Sequence, residues 1–290
     1  MAGGSEAAVL ERLLRHERVI TSLGLALLCA LAWLYLLTGA GLGMSVSDMT
    51  TLSLFPHKAA EASAAMSMSM SAAEMRDMAM GPPAWGPGLW ALTTAMWWTM
   101  MVAMMTPSAA PTILLYGRAH RHALAHDQAA GLAPVWAFAA GYLLAWLCFS
   151  LAAAGLHWGL ERANLVSTAT MGSRSRWLSG AVLMAAGAYQ LSPLQQACLG
   201  HCRSPAAFLS RHWRPGAPGA VRLGVLHGTY CVGCCWMLMA LLFVGGVMNL
   251  AWIAALTLLV MAEKVFPGGP WIARACGVVM LAWGAATFLV

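Results

Sequence analysis

Val19-Ile-Thr-Ser-Leu-Gly-Leu-Ala-Leu-Leu-Cys-Ala-Leu-Ala-Trp-Leu-Tyr-Leu-Leu-Thr38 runs for twenty residues without a charge. At 1.5 Å per residue such a helix covers about 30 Å, the thickness of the hydrocarbon core of a bilayer. The residues before it are polar and carry Arg12, Arg15 and Arg18. A cleaved signal peptide would have a shorter apolar region, about 7–15 residues, and an A-x-A site after it, so residues 19–38 read as a first membrane span and 1–18 as a cytoplasmic segment.

The rest of the chain agrees with that reading. Of the 290 residues, 60% are apolar and 9% charged, with a mean hydropathy of +0.70. An ordinary soluble domain has roughly 45–50% apolar and about 25% charged residues, so a water-facing surface cannot be built from this composition, and intrinsic disorder is excluded by the same figures. The formal charge is +6, but the basic residues stand singly between apolar runs and form no block or basic helix face. That pattern argues against nucleic acid as a partner and for orientation in a lipid bilayer.

Further apolar stretches lie near 88–117, 134–156, 177–192, 222–246, 250–264 and 271–289, which predicts an all-α, polytopic transmembrane helix bundle of about seven spans. Pro107 and Pro111 fall inside the second stretch, where a kink or a helix end is expected. With the N terminus cytoplasmic, the inside segments hold eleven basic residues and the outside segments five, as the positive-inside rule requires. Residues 39–88 then form an outward loop ahead of a helical body over 89–290. The loop is low in complexity and rich in methionine, including Met44, Met49, Met66, Met68, Met70, Met75, Met78 and Met80. Thioethers on a solvated segment gain nothing from burial, but several together can collect soft Cu(I) where thiols would be oxidised; a tolerated linker is the alternative.

The sharpest local signal is in the fifth span, where His227, Cys231, Cys234 and Cys235 fall within about 100° of arc on one helix. One imidazole and three thiols on one face look like a ligand set, although small cysteines also pack well between membrane helices, and C-x-x-C alone also suits a redox dithiol or a structural zinc site. In the second span Met96, Met100 and Met104 repeat every fourth residue, and Met101 and Met105 make a parallel row. A methionine stripe is often simple core packing. Counted along the helices, however, Cys231 lies about 13 Å from Arg222 and Met100 about 18 Å from Gly88, so the two faces reach similar depth from opposite sides. A thiol and imidazole face meeting a thioether face is short of hard oxygen donors and favours Cu(I) over Zn(II), with zinc as the second choice of metal. Trp97, Trp98 and Trp236 are placed to keep water from such a site, or simply to fill space.

A third cluster, Cys198, His201 and Cys202, follows the fourth span on the side read as cytoplasmic, where it would be an inner docking site or a pair of free loop thiols. His120, His122 and His126 read as a polar juxtamembrane loop, and Glu263 with Lys264 as an interfacial pair whose charged ends snorkel to water. Phosphate loops, G-x-S-x-G, H-E-x-x-H and C-x-x-C-H are absent from the sequence, so no catalytic residue is assigned.

Several of these runs together resemble a known family. They are Trp98-Thr-Met-Met-Val-Ala-Met-Met-Thr-Pro107, Tyr189-Gln-Leu-Ser-Pro193, Cys198 with Cys202-Arg-Ser-Pro205, and Gly228-Thr-Tyr-Cys-Val-Gly-Cys-Cys-Trp-Met-Leu-Met239, continued by Val247-Met-Asn249 and Glu263-Lys264. Residues 90–265 resemble the bacterial integral membrane proteins of unknown function described as predicted metal-binding, which include copper chaperones for tyrosinases. The resemblance implies binding and delivery of copper in the bacterial cytoplasmic membrane, with a copper-dependent recipient protein as partner. Its motifs fall on Met100, Met101, Met104, Met105, Cys198, Cys202, Cys231, Cys234 and Cys235. Three functions remain open on the sequence: a Cu(I) chaperone, a membrane thiol/disulfide oxidoreductase working through the cysteine pair, and a copper transporter.

Overall fold

The computed structural model describes residues 3–40, 50, 85–124, 133–167 and 171–289. The methionine-rich stretch between Ala40 and Trp85, apart from Thr50, lies outside the described residues, as does His126. Among the described residues the fold is all helical, with one isolated antiparallel bridge between Val166 and Ser173.

The elements in chain order are α1 (Gly3–Leu37), α2 (Pro87–Leu124), α3 (Ala133–Arg162), α4 (Arg176–Gln190), α5 (Pro193–Arg203), α6 (Pro205–His212), α7 (Gly216–Ala240), α8 (Leu242–Gly245), α9 (Leu250–Val265) and α10 (Gly269–Leu289). The sequence marks several of their boundaries. Ser192 caps α5 by accepting from the Gln195 N–H, with Pro193 in the first turn where its missing N–H costs nothing. Asn249 caps α9 through the N–H groups of Ala251 and Trp252. Gly246, at φ 96°, makes the left-handed turn between α8 and α9.

Five helical stretches among the described residues are long and apolar enough to cross a membrane: Arg18–Leu37, Pro87–Arg121, Pro134–Arg162, Gly216–Gly245 and Gly269–Leu289. The expected seven are therefore not all present at full length. α4 has 15 residues and α9 has 16, short of the roughly 20 that a span needs. The apolar runs there, 177–192 and 250–264, are themselves this short in the sequence, and the helices close at Leu191-Ser192 and at Phe266-Pro267-Gly268.

α2 does not end at its prolines but runs through both Pro107 and Pro111. Beside them the Met105 carbonyl accepts from Ser108 Oγ at 2.9 Å and from Tyr142 Oη at 3.2 Å, which ties α2 to α3 at this level. Nor is His120 in a loop: it lies on α2, buried, with its ring stacked on Tyr116.

α3 packs along α7, α4 along α10, α2 against α1 and α3, and α5 against α7. The α3–α7 contact is the one that builds the site. A Cβ on Gly224 would collide with the Phe138 carbonyl, and one on Gly228 would meet the Ala145 side chain. Gly224 and Gly228 are four apart, a small-xxx-small stripe of the kind that lets two apolar helices touch backbone to backbone. That closeness brings Tyr142 of α3 against the cysteine face of α7.

Candidate metal centre

On α7 the predicted face is present and buried. His227, Cys231, Cys234 and Cys235 expose 1–3% of their surface. Both Cys234 Sγ (3.1 Å) and Cys235 Sγ (2.9 Å) bond to the Cys231 carbonyl, as thiols one turn on in a helix readily do. Cys231 Sγ itself meets two groups from other helices, Tyr142 Oη of α3 at 3.1 Å and Lys264 Nζ of α9 at 2.8 Å.

Two further sulfur contacts extend the cluster. Cys235 Sγ lies 3.9 Å from Met105 Sδ of α2, and Cys234 Sγ lies 4.0 Å from Cys202 Sγ of α5. Met100, Met101 and Met104 are fully buried on the same helix as Met105. Cys198 sits one turn before Cys202, close enough to Gly233 that a Cβ there would come within 3.0 Å of its sulfur. All eight cysteines are free thiols.

Cys198 and Cys202 are thus not in a separate loop cluster. The turn at Leu191-Ser192 lays α5 back against α7, so that Cys202 joins the α7 thiols. On Cys198, outside the five stretches apolar enough to cross a membrane, burial pushes the thiol pKa up. Nor do Glu263 and Lys264 snorkel: they expose 2% and 9%, with Gln190 Nε2 donating to Glu263 Oε1 and Lys264 Nζ turned inward onto Cys231. The sequence reading placed them at an interface because they close an apolar run. What overrides it is tertiary, since α9 is short enough that its last turn still packs inside the bundle.

Arg203, next to Cys202, fixes this end of α9. Its guanidinium donates to the carbonyls of Glu263 and Phe266, each at 2.6 Å, and of Pro267 at 3.0 Å, satisfying backbone oxygens that the helix end leaves open. Cys202 and Lys264 are therefore held to one another through a single side chain.

The three tryptophans have different partners, Trp98 donating to the Leu143 carbonyl at 3.1 Å. Trp236 is 43% exposed, and Trp97 is buried but donates to His157 Nδ1 at 3.5 Å. Since an indole N–H only donates, Nδ1 of His157 accepts, and Nε2 carries the proton that faces Glu161 Oε1 at 3.4 Å. Trp85 closes this second polar group by donating to Glu161 Oε2 at 2.7 Å. Sequence reasoning passed over it, although a histidine and a carboxylate four residues apart on an apolar helix were a legible signal.

Among the described residues, no three His, Cys, Asp or Glu side chains converge into a ready-made metal cage. What the arrangement offers instead is two sulfur pairs, Cys202 with Cys234 and Cys235 with Met105, contributed by α5, α7 and α2 and bordered by an ammonium and a phenol. No curated protein and no solved structure matches the chain. Residues 94–287, which contain every member of this cluster, match the family described as copper chaperone, PpoB2, and the chain belongs to that family.

Proposed function

We propose that this protein is a membrane copper chaperone that takes up Cu(I) as cargo at the buried sulfur cluster and hands it to a copper-dependent recipient protein. The observation that carries this reading is the spacing of the sulfurs. Two ligand atoms about 2.3 Å from a common ion with trigonal angles stand about 4 Å apart, and the two pairs are separated by 4.0 and 3.9 Å. Thiolates and thioethers with no hard oxygen ligand of their own suit a soft monovalent ion better than Zn(II), Mg(II) or Ca(II). The copper chaperone family supports the same cargo.

In this reading Cys231, Cys234, Cys235, Cys202 and Met105 form the loading site. Cys198, His227, Met100, Met101 and Met104 line the approaches to it, and the methionines of residues 39–88 gather the ion outside. The bundle lies in the bacterial cytoplasmic membrane with its N terminus inside. α4 and α9 complete a seven-helix body as shortened members, their ends closed by protein rather than by lipid.

The test is metal analysis of the full-length protein, purified in detergent under anaerobic conditions, loaded with Cu(I) and freed of excess. About one or more Cu(I) per chain is expected for the wild type, with loss of the ion on combining Cys231→Ser and Cys234→Ser. Less than one Cu(I) per chain in the wild type, or no loss in the double variant, overturns the reading.

A further inference from the structure

Between α5 and α6 there is a cavity of about 290 Å³, lined among others by His201, His212, Arg211, Ser204 and Phe208. Neither histidine belongs to the sulfur cluster, yet both are set up as ligands. His201 Nδ1 lies 2.9 Å from the Ala197 carbonyl, and His212 Nδ1 lies 3.0 Å from the Phe208 carbonyl. A carbonyl only accepts, so Nδ1 donates in each ring, and the lone pair of the neutral imidazole is left on Nε2. This is the backbone support usual behind a metal-binding histidine, which fixes both tautomer and ring orientation. His201 is further held flat on Tyr230, with centroids 4.2 Å apart and planes within 4°.

The floor of the cavity is Phe208, buried at 2% exposure. Its ring centroid is 5.1 Å from that of His212 and 5.4 Å from that of His227. His227 is itself buried, one helical turn before Cys231, and its Nδ1 has no hydrogen-bond partner. One aromatic side chain therefore touches both a cavity imidazole, His212, and a third imidazole that adjoins the thiols.

We propose that His201 and His212 form an exit port for the metal, reached from the sulfur cluster through His227 when the Phe208 ring moves aside. The proposal rests on the copper reading given above. The ion stays monovalent throughout, and no electron is transferred. At each move one copper–ligand bond breaks as another forms, and the sulfur left behind keeps its electron pair. Imidazole is a harder donor than thiolate, and the Arg211 guanidinium on the cavity wall disfavours a resident cation. Both features suit a site that passes an ion on rather than storing it.

The experiment is release kinetics. Full-length protein loaded with Cu(I) is mixed anaerobically with excess bicinchoninate, and the coloured Cu(I) complex is followed in a stopped-flow instrument. The combined His201→Ala and His212→Ala variant is expected to keep the wild-type copper content and to release it about tenfold more slowly, while Phe208→Ala releases several-fold faster. Release at the wild-type rate from the loaded double variant overturns the port, and an unchanged rate in Phe208→Ala removes the gate. If the double variant no longer holds copper, the histidines belong to the loading site and the port is again overturned. The paired His→Gln variant, whose amide N–H can still bond to the backbone but which offers the ion no imidazole nitrogen, gives a second reading of the same rate: release as in wild type overturns the port. A wild type that binds no Cu(I) would instead defeat the copper reading itself.

Discussion

Lys264 Nζ lies 2.8 Å from Cys231 Sγ, with both side chains buried and on different helices. An ammonium buried without a partner is costly, and Cys231 is the group this one meets. In the copper reading the ammonium offsets negative charge on the loaded thiolates. Replacing Lys264 by Met is expected to weaken Cu(I) retention by about 10- to 100-fold, the size of one charge-assisted contact of about 1.5–3 kcal/mol. Competition with bicinchoninate at equilibrium measures this, and an unchanged affinity would show that the ammonium plays no part in holding the ion.

The 4.0 Å between Cys202 and Cys234 Sγ can be checked without metal. Diamide, which takes up two electrons and two protons per disulfide formed, should join these two residues ahead of any pair involving Cys148 or Cys276. Mass spectrometry of the digested protein identifies the linked peptides. Prior loading with Cu(I) should protect them, because the same sulfurs are then occupied.

Close contact of α3 and α7 makes Gly224 intolerant of any side chain. Gly224→Ala drives a methyl group into the Phe138 carbonyl and is expected to destabilise the fold by about 1–3 kcal/mol, read as a lowered Tm in detergent. Gly155→Ala on α3, where nothing lies within 4 Å of the added carbon, should leave Tm unchanged or raise it, since alanine is favoured over glycine in a helix by about 1 kcal/mol.

Arg203 holds the end of α9 through three carbonyls, and its loss should be felt at Cys202 next to it. Arg203→Ala is expected to cost about 2–3 kcal/mol and to speed alkylation of Cys202 in the folded protein. Arg203→Lys restores the charge but not the planar fork, so it should recover only part of either effect.

Features that lie within one helix were legible in the sequence. The face of His227, Cys231, Cys234 and Cys235 follows from 3.6 residues per turn, and so does the helical i, i+4 placement of Cys198 and Cys202. The contact between Met105 and Cys235 joins two helices whose depths could be counted from their ends. Lys264 could not be found this way, because its role depends on how far α9 descends beside α7, and a charge closing an apolar run looks the same whether it faces water or a thiol. Tyr142 was hidden for a similar reason: only the backbone contact made possible by Gly224 and Gly228 brings its hydroxyl to Cys231. Of the seven expected spans five have full length; the runs at 177–192 and 250–264 are only 16 and 15 residues long in the sequence, and the helices there, α4 and α9, have 15 and 16.

The shortness of α4 and α9 has a consequence for the surrounding lipid. Helices of 15 and 16 residues rise only about 22–24 Å, against a hydrocarbon layer of about 30 Å. If, as proposed, the bundle lies in a membrane, acyl chains beside α4 and α9 are expected to compress or tilt wherever protein does not cover the ends of these helices. Reconstitution in vesicles of graded chain length should therefore favour thin membranes, with the folded protein most stable where that compression is least.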